Sequence, residues 1–171
     1  RRARVVIEVA AIPDAEESLF PLLGHLVGEI APDDIPVVAG LERAAPTEDD
    51  LRAFAAAFAT TSNAPMFHIA GVTPEAATVS EALGGAVPAR SIRIGRADIA
   101  RAWRDLNGAE SPDIDLISLG NPHFSLAECA RLAGLTRGRR RRAQTPVMIT
   151  LSRATQQQAE ELGLVAELER F

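Results

Sequence analysis

Three residues with usable chemistry crowd into the run Gly120-Asn121-Pro122-His123-Phe124-Ser125. Asn121 offers an amide that can hold a carboxylate or a metal, and His123 a nitrogen of the type that titrates near neutral pH. An amide that orients a substrate and an imidazole that moves a proton are the parts of an acid–base site. The same residues also spell a common turn, Gly-Asn-Pro, in which His123 would simply face solvent. His68 is a second candidate, followed by Ile69-Ala70-Gly71-Val72-Thr73-Pro74. It reads either as a site histidine beside a helix N-terminus opened by Thr73, or as a buried histidine bonded to backbone. Thr150, Ser152 and Arg153 form a third group, in which hydroxyls, helix amides and a guanidinium could grip an anion. A plain helix cap accounts for Ser152 equally well.

Strand-to-helix junctions should position all three groups. Ile114, Leu116, Ile117 and Leu119 make a short apolar run between Pro112 and Gly120, as in a strand covered on both faces of a parallel sheet. Ser125 with Glu128 three positions on is a capping box, which starts a helix from Leu126 to about Leu135. Val5 to Ala10, Ile35 to Ala39, Met66 to Ala70, Ser91 to Ile94 and Val147 to Leu151 are the other expected strands. Pro13 should end the first of these, and Asp14-Ala15-Glu16-Glu17 lead into the next helix. That helix carries Leu19, Leu22, Leu23, Leu26, Val27 and Ile30 at helical spacing, and Pro21, Gly24 and Gly28 predict a kink or a later start. Thr47 with Asp50 caps a helix over Leu51–Thr60, and Thr73-Pro74 starts one that ends at Gly84-Gly85. Asp98 to Leu106 predicts a helix that buries Trp103, and Ser152 starts a last helix broken near Gly163. Strand and helix alternate throughout, so the expected fold is a three-layer α/β/α sandwich around a largely parallel sheet, in one domain over residues 1–171.

Composition narrows the function classes. A chain of 171 residues with 47% hydrophobic content has enough apolar material for a substantial core. The net charge of -5 weighs against nucleic acid as a partner, and no apolar run reaches the length of a membrane span. The basic run Arg137 and Arg139 to Arg142 lacks the aromatic residues of a nucleic-acid site and is read as a solvated loop or a contact to an acidic surface. One cysteine, Cys129, excludes an internal disulfide, fits a cytoplasmic setting and is expected to be a plain packed cysteine. His25, in mid-helix, is read as structural. All 18 basic residues are Arg, which suggests a GC-rich, bacterial source. The chain begins without Met and closes on Leu168-Glu169-Arg170-Phe171, so a segment of a longer polypeptide is expected.

Phe67-His68-Ile69-Ala70-Gly71-Val72-Thr73-Pro74-Glu75-Ala76 and Asp115-Leu116-Ile117-Ser118-Leu119-Gly120-Asn121-Pro122-His123-Phe124-Ser125-Leu126 together resemble the large, catalytic part of the aconitase X family. Pro21-Leu22-Leu23-Gly24, Pro36-Val37-Val38-Ala39-Gly40-Leu41 and Ile149-Thr150-Leu151-Ser152-Arg153-Ala154 are similar as well, in the expected order. The resemblance implies an aconitase-like domain of an iron-dependent dehydratase. Known substrates in that family are cis-3-hydroxy-L-proline and mevalonate 5-phosphate. The first is preferred, because the source looks bacterial and Asn121 stands where some relatives carry Cys.

On that reading His123, Ser125 and His68 are the candidate catalytic residues, and Asn121, Thr73, Ser152 and Arg153 the candidate substrate-binding ones. No metal ligand is assigned among them. The implied iron centre, mononuclear or an iron–sulfur cluster, would act as a Lewis acid with ligands mostly outside this segment. The implied partners are a small hydroxy-acid substrate and a small swivelling domain or subunit of aconitase type. The isolated segment is expected to be inactive. The rival in another class is a non-catalytic domain of the same fold that holds a small anion on its helix N-termini.

Overall fold

The computed structural model describes residues 1–10, 18–141 and 145–171. The expected helix lead-in at 13–17 and Arg142 lie outside the described residues. The chain forms two compact units, Arg1–Gly108 and Ala109–Phe171, where one domain was expected. The described strands account for the division, since they make two separate sheets with no ladder running from one to the other.

In the first unit β1 (Val5–Val9), β2 (Pro36–Ala39), β3 (His68–Ile69) and β4 (Arg90–Ile94) form a sheet in the order β3-β2-β1-β4, with every pairing parallel. Alternation along β1 sends Val5, Ile7 and Val9 to one face and Val6 to the other. The first face packs on α1 (Leu19–Ile30), α2 (Glu48–Thr61) and α4 (Arg96–Leu106). The second meets α3 (Val79–Leu83) through Val37, Ala82 and Leu83. This is the three-layer parallel arrangement expected.

Helix α1 is unbroken despite its helix-weakening residues. Pro21 sits in the first turn, where no intrahelical N–H is needed. Gly24 and Gly28 are where α2 presses in: a Cβ at Gly24 would strike the Phe54 carbonyl, and one at Gly28 the Thr61 hydroxyl. Phe54, Phe58 and Phe67 cluster beside it, with Phe54 and Phe67 centroids 4.7 Å apart and tilted. The Thr47–Asp50 capping box starts α2 as expected.

Two expectations fail in this unit. No helix starts at Thr73. Its hydroxyl accepts from the Ile69 N–H at 3.0 Å and donates to the Ile69 carbonyl at 3.1 Å. That local closure competes with helix formation, and α3 waits for Thr78 as its cap. Trp103 is 50% exposed, because α4 turns Ala102 and Ile99 to the core instead.

In the second unit β5 (Ile117–Phe124) and β6 (Val147–Leu151) pair in parallel. Helix α5 (Leu126–Thr136) connects them, and α6 (Arg153–Glu161) and α7 (Leu164–Glu169) follow. The strand expected to be buried on both faces is not. Ile114 is 57% exposed, Leu116 is 49% exposed, and the ladder begins only at Ile117. A two-stranded sheet with its three helices cannot cover both faces. Gly163, in a left-handed conformation, separates α6 from α7 at the expected break.

Candidate functional site

The β5–β6 ladder is regular from Ile117↔Val147 to Leu119↔Ile149 and resumes at Phe124↔Leu151. Between these points β5 advances from Leu119 to Phe124 while β6 advances only from Ile149 to Leu151. Gly120-Asn121-Pro122-His123 therefore bulges out of the ladder, a device that re-aims side chains beside sites. Two backbone features lie in the bulge. Gly120 has φ 94°, and a Cβ there would collide with the Thr150 carbonyl oxygen. The Asn121–Pro122 peptide is cis. The side chains of Asn121 and His123 emerge exposed.

Both strands of a parallel pair end on the same edge, so the junctions that follow them lie side by side, one strand spacing apart (about 4.8 Å). At the first, Ser125 Oγ accepts from the Glu128 N–H at 3.1 Å while the Glu128 carboxylate accepts from the Ser125 N–H at 2.8 Å. At the second, Ser152 Oγ accepts from the Thr155 N–H at 3.1 Å and lies 2.9 Å from the Thr155 hydroxyl. Arg153 follows, exposed and without an ion pair to another described residue. The edge thus gathers Asn121, His123, Ser125, Ser152 and Arg153. It offers two helix N-termini, each equivalent to about half a positive charge, one guanidinium, one amide and one imidazole. Such a set can bind a carboxylate and exchange a proton beside it.

His68 and Thr73 belong to the first unit. His68 is 1% exposed in β3, with Nε2 2.9 Å from the Arg1 carbonyl and Nδ1 buried without a partner. Thr73 spends its hydroxyl on Ile69, so the anion-binding helix N-terminus expected beside His68 is missing.

Behind the second unit's sheet, an apolar cavity of about 610 Å³ is lined by Leu119, Ile149, Leu132, Val165 and the buried Cys129, among others. Burial, and then the neighbouring Glu128 carboxylate, push the Cys129 thiol above its ordinary range, against a smaller lowering by a backbone hydrogen bond. It is the packed cysteine expected. Sequence reading missed the contact of Gly120 with Thr150. The pairing of Gly120 with a following Pro122 hinted at a special turn but not at what it leans on.

Among the described residues no three of His, Cys, Asp and Glu converge where they could hold a metal ion. These residues therefore do not by themselves fit an iron centre. Among the described residues no helix is long and apolar enough to cross a membrane.

Comparison with known proteins adds the family. Residues 3–104 match the aconitase X second domain, and residues 114–171 the aconitase X third domain. The chain is 49% identical, over all its length, to a cis-3-hydroxy-L-proline dehydratase of Hypocrea jecorina, and covers 29% of that protein. It is 46% identical over its whole length to a cis-3-hydroxy-L-proline dehydratase of Pseudomonas aeruginosa, covering 30% of it. A phosphomevalonate dehydratase large subunit of Thermococcus kodakarensis is 31% identical over the whole chain, which covers 42% of that subunit. The crystal structure of Thermococcus kodakaraensis aconitase X in its holo form superposes on the whole chain with a TM-score of 0.83 at 29% identity, and the chain again covers 42% of it. The chain thus spans less than a third of the two dehydratases most like it among these.

Proposed function

Because the chain belongs to the aconitase X family, we propose that it is part of a hydro-lyase that removes water from cis-3-hydroxy-L-proline. One observation carries the choice of substrate: identity of 49% and 46% along the entire chain to two dehydratases of that name. The geometry of the second unit's sheet edge supports the class of reaction. Dehydration of a 3-hydroxy acid breaks the Cα–H and Cβ–O bonds, leaves a double bond between those carbons, and releases the hydroxyl as water.

In this proposal the substrate carboxylate lies against the N-termini of α5 and α6 with Arg153 as its counter-charge. Asn121 orients it through the side-chain amide. His123, exposed on the bulge, takes the α-proton. Ser125 and Ser152 hold the two helix starts that form the carboxylate cradle. His68 and Thr73 hold β3 and its turn through their bonds to the Arg1 carbonyl and to Ile69. An iron centre with ligands from outside the described residues, a small swivelling domain or subunit, and a cytoplasmic setting belong to the proposal for the whole protein. The fungal, bacterial and archaeal relatives leave a bacterial source as a reading of the Arg-only composition.

The test is turnover by the natural full-length polypeptide, with any small subunit, after loading with iron. Loss of cis-3-hydroxy-L-proline with formation of the dehydrated ring acid is expected, and mevalonate 5-phosphate should be untouched. Turnover of the phosphate ester alone would transfer the assignment to the other branch of the family.

A further inference from the structure

Within the second unit, the far end of α5 carries a cationic cleft that the proposed chemistry does not use. Arg137, Arg139, Arg140 and Arg170 line a depression of about 450 Å³, with Glu167 as the acidic side chain among its walls and Phe171 as an apolar one. Arg137 Nε donates to Glu167 Oε1 at 2.9 Å, which ties the end of α5 to α7. Arg139, Arg140 and Arg170 make no ion pair to another described residue, and all three are exposed. The turn that presents them is built: Gly138 adopts φ 71°, the Arg139 N–H donates to the Thr136 carbonyl at 2.9 Å, and the Arg141 N–H donates to the Phe171 carbonyl at 3.0 Å.

Helix-end compensation does not account for so much charge. Among the described lining residues, the C-terminus of α5 supplies about half a negative charge and Glu167 one more, against four guanidiniums, which leaves about two and a half positive charges in excess. The location separates this cleft from the candidate active edge. Helix α5 runs back from the carboxyl edge of the two strands, so its end lies at the opposite edge, just before β6. Ligands of open parallel sheets gather at the carboxyl edge, so the cleft is a second place. Guanidinium forks match the oxygen pairs of phosphoryl groups. The volume exceeds a single phosphate, and Phe171 offers an apolar wall to an organic remainder.

We propose that the Arg137/Arg139/Arg140/Arg170 cleft binds a phosphorylated small molecule, with its phosphoryl oxygens on the free guanidiniums. Nothing in the inference depends on the substrate of the active edge. The test is calorimetric titration of inorganic pyrophosphate into the natural full-length protein, in a low-salt, phosphate-free buffer. One site per chain is expected. Replacing Arg139→Ala with Arg140→Ala should weaken it at least about tenfold, and the Arg139→Lys/Arg140→Lys pair should weaken it too, because charge remains but the fork is lost. A thermal midpoint equal to wild type shows that each variant is folded, and if the alanine pair fails that check the lysine pair decides. Citrate, of similar charge without phosphoryl groups, should bind more weakly. Absence of pyrophosphate binding to the wild-type protein, equal binding in the variants, or citrate binding as tightly would each overturn the proposal.

Discussion

His123 is where the chemistry of this chain is most exposed to test. It stands on a bulge held by Gly120 and Pro122, is solvent-exposed, and makes no hydrogen bond or ion pair to another described residue. Truncating it removes a reactive nitrogen and almost no packing, so its effect on rate should separate cleanly from any effect on stability. In the full-length protein, His123→Ala should lower turnover by about 10²–10⁴-fold, the usual worth of a positioned acid–base group. The thermal midpoint should stay within a degree or so of wild type, as for other surface substitutions. Undiminished turnover would remove His123 from proton transfer. Ser125 gives the opposite profile, since its hydroxyl caps α5. His68 differs again: with its ring 1% exposed, truncation there leaves a hole beside Ile69 and disturbs folding first.

At the scale of elements, the bulge itself can be tested. Gly120 is the one residue type that tolerates both φ 94° and the closeness of the Thr150 carbonyl. Gly120→Ala should therefore cost about 1–3 kcal/mol, read as a lowered denaturation midpoint. If the bulge aims His123, turnover should fall as well at temperatures where the variant is still folded. An unchanged midpoint would mean that the ladder has another register open to it. Most elements were legible beforehand because their signals are local. Thr47–Asp50 and Ser125–Glu128 form the capping boxes their spacing announces, and Gly163 breaks the last helix. The failures have non-local causes. Thr73 carries a good helix-start signature, but its hydroxyl closes on Ile69. Gly24 and Gly28 look like helix weakeners until α2 is known to pack against them. The apolar run before Gly120 reads as a buried strand, because sequence does not reveal that, among the described residues, its sheet has two strands. The candidate edge was legible residue by residue, but not that Gly120 meets Thr150.

At the scale of the whole molecule, the question is how small a part of its relatives this chain spans. It holds two compact units, matches two consecutive aconitase X domains, and covers 29% and 30% of the two dehydratases it resembles most among those compared. Its described residues supply an amide, an imidazole, a guanidinium and two helix starts at one edge, but no trio of metal-binding side chains. On the proposed reading, proton transfer and carboxylate binding are the share of catalysis these residues perform, and the iron is held by residues other than the described ones. Two measurements separate these shares. Treating the natural full-length enzyme with an iron chelator should abolish turnover of cis-3-hydroxy-L-proline, and ferrous iron should restore it. The 171-residue chain, equilibrated with ferrous iron and desalted, should retain well under one iron per chain, since a divalent transition metal held tightly needs about three or four protein ligands in one place. Full turnover by the chelated enzyme would refute iron dependence. Stoichiometric iron on the short chain would instead move the metal site into this segment and require ligands that its described side chains do not bring together.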